Sequence, residues 1–92
     1  MFEVIVNLEG TQIVAKCKVP KQPAVAASIS LMMKDPAKAQ ELIYNETVLN
    51  KEEIEPMFEK YPYAKYTLVN KILERLGLTT DVIVREVNQQ KN

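Results

Sequence analysis

The stretch "FEVIVNLEGTQIVAKCKV", residues 2–19, constrains the fold more than any other part of the chain. It is rich in β-branched residues and alternates apolar with polar, interrupted only at Glu9-Gly10, which predicts a β-hairpin. With Glu9-Gly10 as a two-residue loop, Leu8 faces Thr11, Val6 faces Ile13, Val4 faces Ala15 and Phe2 faces Cys17. These side chains share one face, apolar except for the threonine. The opposite face pairs Asn7 with Gln12 and Glu3 with Lys16, a polar and an opposite-charge pair. A slip of one residue would mix the faces, so the pattern admits one register. Only Ile5 and Val14, paired with each other, break the polarity of the outer face. A lone hairpin is marginal in water, so its apolar face needs a cover from the rest of the chain.

Helices are predicted to supply that cover. "VPKQPAV" breaks the strand, and Pro23 opens a helix through "AVAASISLMMK" with Val25, Ile29 and Met32 or Met33 at helical spacing. Asp35-Pro36 starts the next helix, "PAKAQELIYNE", with Asp35 as N-cap and Ala39, Leu42 and Ile43 facing inward. Asn50 with Glu53 three residues on has the form of a capping box. Ile54, Met57, Phe58 and Tyr61 follow as a stripe, and Pro56 makes this helix either short and kinked or one that begins at the proline. From Pro62 a last helix carries Lys65, Leu68, Val69, Ile72, Leu73 and Leu76, with Gly77 as a left-handed C-cap and Leu78 folding back on Leu73. Val82-Ile83-Val84 either adds a strand to the hairpin or joins a short terminal helix capped by Thr80 or Asp81. The expected architecture is α+β: an N-terminal antiparallel β-hairpin packed on a small bundle of three or four helices, one domain over residues 1–92.

Several chemistries lack their residues. The chain has no histidine, which removes Ser-His and Cys-His nucleophilic sites and histidine-containing metal sites. Cys17 is the sole cysteine, so neither an internal disulfide nor an all-thiolate zinc site is possible, and its place on the apolar face reads as a small buried hydrophobe. Gly10 and Gly77 are the only glycines, which leaves no phosphate loop. Neighbouring carboxylates such as Glu52, Glu53 and Glu55 point in different directions and make no acid/base couple. The expectation is a non-enzymatic protein without cofactor or metal. No apolar run reaches the ~20 residues of a membrane span, and "MFEVIVNLEG" carries acid where a signal peptide needs base, which predicts a cytoplasmic location.

"EKYPYAKY", residues 59–66, holds three of the four tyrosines. Tyr61 completes the stripe of the helix before it and is expected in the core, while Tyr66 shares a face with Val69 and Leu73, so its ring is expected half-buried there with the hydroxyl reaching water. Tyr63 belongs to neither stripe and is a candidate contact residue. Net charge is zero, from 12 basic and 12 acidic residues, and glutamates flank the tyrosines, which argues against nucleic-acid binding. The charges are nonetheless segregated. Lys16, Lys18, Lys21, Lys34 and Lys38 precede an acidic run of Glu41, Glu46, Glu52, Glu53, Glu55 and Glu59. Such a dipolar surface can orient a partner or a second copy of the chain.

The order of these pieces, "VIVNLEGTQIVAKCKVP", then "KDPAKAQELIYNETVL", then the acidic "NKEEIEP", resembles small tail-assembly-chaperone-like proteins of tailed bacteriophages and prophages. The resemblance covers most of the chain and centres on Pro36 to Leu49. It implies a non-enzymatic chaperone that coats a tape-measure protein during tail polymerisation, and it carries over no catalytic residue. A small inhibitor or adaptor binding one host protein, or a minor virion component, fits the same features. Partner contacts are expected at Ile5 and Val14 on the hairpin's outer face, at Met32 and Met33, and at Tyr63. Of the two adjacent methionines, one is expected toward the hairpin and the other toward solvent. Ile5 and Val14 are either an exposed apolar patch or covered by another element such as the helix from Pro62.

Overall fold

The structure, a computed structural model, describes residues 1–77 and 84–87. Two strands, β1 (Phe2–Leu8) and β2 (Thr11–Cys17), form an antiparallel hairpin. Four helices follow: α1 (Gln22–Met32), α2 (Pro36–Thr47), α3 (Lys51–Lys60) and α4 (Ala64–Arg75). The fold is α+β, as the residue pattern requires.

The strand register is the one that sorts both faces: Phe2 pairs with Cys17, Val4 with Ala15, Val6 with Ile13 and Leu8 with Thr11. Gly10 has φ +79° and no non-glycine residue among those described has positive φ, so the turn is of the kind that requires glycine at its second central position. Val4, Val6, Ile13, Ala15 and Cys17 are buried. They meet Ile43 and Tyr44 of α2, Ile54 of α3, and Leu68, Val69, Ile72 and Leu73 of α4 in one continuous core. α4 lies against β1 and α3 against β2, while α1 makes its main contact with α2.

The outer edge of β2 is sealed by the α2–α3 connection. Lys18 donates its N–H to the Thr47 carbonyl (2.9 Å), and Leu49 donates to the Lys16 carbonyl (2.7 Å). Between them Cys17 and Val48 form an isolated antiparallel bridge. Asn50 extends the pairing with its side chain: Oδ1 accepts from the Lys16 N–H at 2.8 Å, and Nδ2 donates to the Val14 carbonyl at 3.0 Å. Residues 47–50 thus act as a short third strand built partly from a side-chain amide.

Four local expectations change. Asn50 stands at the N-cap position of α3 but makes no side-chain cap bond; its Nδ2 reaches Glu53 Oε2 (3.0 Å) while its Oδ1 is engaged by β2. α3 runs unbroken through Pro56, and because Pro56 and Glu52 are both exposed, water can reach the Glu52 carbonyl that loses its helical donor. Pro62 and Tyr63 form a turn, so α4 begins at Ala64 and Tyr63 sits at its N-cap. α1 buries Ser28 rather than Ile29, which is 49% exposed, because its contact is with the small Ala39 of α2, whose carbonyl accepts from Ser28 Oγ at 3.4 Å.

Asp35 caps α2 as expected, its Oδ1 accepting from the Lys38 N–H (3.2 Å). Gly77 has φ +83° at the end of α4, its N–H donating to the Glu74 carbonyl. Residues 84–87 are in neither strand nor helix; the Leu78 contact, the candidate caps Thr80 and Asp81, and Val82 and Ile83 lie outside the described residues.

Candidate functional site

The residues expected to contact partners fall in separate places. Ile5 and Val14 stand opposite each other on the hairpin face that turns away from the helices. α4 lies beneath the other face and does not cover them: Ile5 is 51% exposed and Val14 half-buried. At the end of α1 the adjacent methionines divide. Met32 packs against the core, which removes it from the contact surface, whereas Met33 at the C-cap is 92% exposed.

Tyr63 is 81% exposed at the α3–α4 turn and lines a groove of about 380 Å³ with Val6, Asn7, Leu8, Tyr61 and Thr67. Tyr61 is half-buried against the core, as its stripe implies. Tyr66, whose ring is expected half-buried, is more open than that, at 57% exposed. The stripe that α4 buries is centred between Leu68 and Leu73 and taken up at its N-terminal end by Ala64, which leaves Tyr66 at its margin.

The position on that stripe that the tyrosine does not occupy is filled by Lys65. Its Nζ lies over the buried Tyr44 ring, 4.7 Å from the ring centroid, and pairs with Glu41. The Tyr44 hydroxyl donates to Glu55 Oε1 at 3.4 Å. Burial, reinforced by the Glu55 and Glu41 carboxylates, pushes the Tyr44 hydroxyl above its ordinary range. α2, α3 and α4 are therefore joined through one tyrosine. The hydroxyl stays protonated at neutral pH and is engaged by Glu55, and with Lys65 over its ring the residue ties the three helices together as a clasp.

Cys17 is likewise not a nucleophile at neutral pH: burial pushes its thiol up to about 11, and its Sγ–H donates to the Ala15 carbonyl at 3.6 Å. Among the described residues no three Asp, Glu, Cys or His side chains gather as a metal site would require. None of the helices described is long and apolar enough to cross a membrane.

Sequence reasoning missed the roles of Asn50, Tyr44 and Ser28. The first was legible only as a helix cap, because nothing in its local pattern points to a strand 34 residues away. It also missed the inequality of the hairpin's two edges, which depends on where the α2–α3 connection runs.

The fold defines a class, a small α+β domain whose hairpin is backed by helices. The same fold is found in the solved structure of an uncharacterised protein from Bacillus stearothermophilus, with a TM-score of 0.67 and 17% sequence identity, over 91% of this chain and 88% of that one. At that identity the likeness is one of fold. No protein-family model matches the sequence, and no curated protein matches it.

Proposed function

We propose that the chain is a non-enzymatic protein-binding module of the tail-assembly-chaperone kind, with a tape-measure protein as its partner. The observation that carries this reading is the surface itself. Ile5, Met33 and Tyr63 present apolar side chains to solvent on a chain without histidine, with its one thiol buried and its one buried phenol locked in a clasp. Exposed hydrophobes such as these suit a chaperone, which must hold a client without reacting with it. Met33 in particular offers an adaptable thioether rather than a rigid shape. The order of the hairpin and of the "KDPAKAQELIYNETVL" helix supports the same class.

Co-expression with a tape-measure protein tests it. The expected result is a complex that survives gel filtration and keeps the tape measure from aggregating, weakened by Met33→Glu or Tyr63→Ala in chains that remain folded. A chain that leaves the tape measure unprotected, and gains mass instead with one purified host protein, would replace this reading with that of an inhibitor or adaptor.

A further inference from the structure

The hairpin has one sealed edge and one open edge. On β2, the backbone groups that point away from β1 belong to Gln12, Val14, Lys16 and, just past the strand, Lys18, and residues 47–50 bond to the last three, leaving only the turn end at Gln12 outside the seal. It follows from the register that β2 turns Thr11, Ile13, Ala15 and Cys17 toward β1, and that β1 turns Phe2, Val4, Val6 and Leu8 toward β2. The N–H and C=O groups of Glu3, Ile5 and Asn7 therefore point outward from β1. No hydrogen bond among the described residues reaches them. The edge carries few of the usual protections: β1 contains no lysine and no proline, its one charge is Glu3, and its seven pairs run without a bulge.

We infer that β1 is the dimer interface of this protein, pairing antiparallel with β1 of a second copy about a two-fold axis through Ile5, to make a four-stranded sheet across both chains. The sequence of the strand selects the occupant. In that register Ile5 faces Ile5 of the second copy, Glu3 faces Asn7, Val4 faces Val6 and Phe2 faces Leu8. Apolar meets apolar and no like charges are opposed. Shifting the axis to Glu3 would set two glutamates against each other, and shifting it to Asn7 would leave Glu3 and Phe2 unpaired. With the axis at Ile5, the two isoleucines exchange both backbone bonds, and each Glu3–Asn7 pair does the same, so all the outward groups of the edge are satisfied at once. The half-exposed Ile5 side chain, anomalous on a polar face, gains its own copy as a neighbour. Phe2 of the second copy arrives opposite Leu8, at the groove lined by Leu8, Tyr61, Tyr63 and Thr67. The interface is isologous and closed, which limits assembly through this edge to a dimer.

The test is the mass and amide exchange of the isolated full chain, with no client present, so it is independent of the chaperone reading. Sedimentation velocity is expected to show twice the 10.5 kDa chain mass, with the amides of Glu3, Ile5 and Asn7 protected. Ile5→Pro removes an outward N–H that the hairpin itself does not use, along with the isoleucine side chain on the axis, and should give a folded monomer. Ile5→Lys, which opposes two charges on the axis, should do the same and become less monomeric as salt rises. Met33→Glu, remote from the edge, should remain a dimer. A wild-type chain that stays monomeric at all attainable concentrations would overturn the proposal. So would a dimer that both edge variants leave intact, or a monomer whose three edge amides are already protected, since the chain would then be covering its own edge.

Discussion

Asn50 and Lys16, 34 residues apart, are joined by a 2.8 Å bond from the Lys16 backbone N–H to the Asn50 side-chain oxygen, and the same amide returns a bond to the Val14 carbonyl. One side chain thereby substitutes for a residue of a missing strand and fixes where α3 begins relative to the sheet.

Asn50→Ala is expected to cost about 1–3 kcal/mol, because it leaves a strand N–H and C=O without their protein partner. Asn50→Asp should cost at least as much: it keeps an acceptor for Lys16 but turns a carboxylate toward the Val14 carbonyl and toward Glu53. Urea unfolding of the three proteins gives the order directly. Full stability in Asn50→Asp would mean that the Val14 bond contributes nothing.

Adjacent strand positions should respond in opposite ways. Val6 is 7% exposed, and Val6→Asp places a charge in the core, which should unfold the domain. Asn7 is exposed and accepts from Gln12 Nε2 at 2.8 Å, an acceptor that Asn7→Asp retains, so this change should stay within about 0.5 kcal/mol. Circular dichroism melts separate the two outcomes. Equal losses at both positions would contradict the register.

Alkaline pH should weaken the fold. Burial raises the Cys17 thiol from 9.0 to about 11, so across that interval the folded chain holds a proton that the unfolded chain has released. Stability is then fully present below pH 9.0 and lost as pH rises toward 11. Tyr44, raised in the same direction, extends the loss to higher pH. Denaturation midpoints measured across this range should fall with pH, and fall less steeply in Cys17→Ala whatever that variant's starting stability. A slope unchanged by the substitution would show that the thiol does not titrate with unfolding.

Lys65 should matter more than the carboxylate it pairs with. Glu41 is about half exposed, and Glu41→Gln should cost less than about 1 kcal/mol, as exposed ion pairs generally do. Lys65→Ala also removes the methylene stem and the ammonium over the Tyr44 ring and should cost more, with little dependence on salt. Thermal melts at low and high salt decide this. Equal losses that both vanish in salt would reduce the clasp to a screened surface pair.

What the sequence by itself determined follows from local periodicity. Two faces of one hairpin, sorted by side-chain type, fixed the register of Phe2 through Cys17. Proline and aspartate marked the start of α2, glycine marked the end of α4, and a broad stripe from Leu68 to Leu73 identified what α4 buries. The missing histidine and the single thiol on the apolar face removed whole classes of chemistry without any structure. Tertiary structure decided the rest, because it depends on contacts between distant segments. α1 is apolar around much of its circumference, so its pattern chose no face, and the close approach of Ala39 made Ser28 the buried residue instead of Ile29. Tyr66 is more exposed than the half-buried place its spacing implies, because Ala64 and Lys65 occupy that end of the stripe. The two edges of the hairpin are indistinguishable as sequence, since both strands alternate equally well. They became unequal only when the α2–α3 connection passed along β2, bonding outward groups of Val14, Lys16 and Lys18 and leaving those of Glu3, Ile5 and Asn7 facing away from the chain.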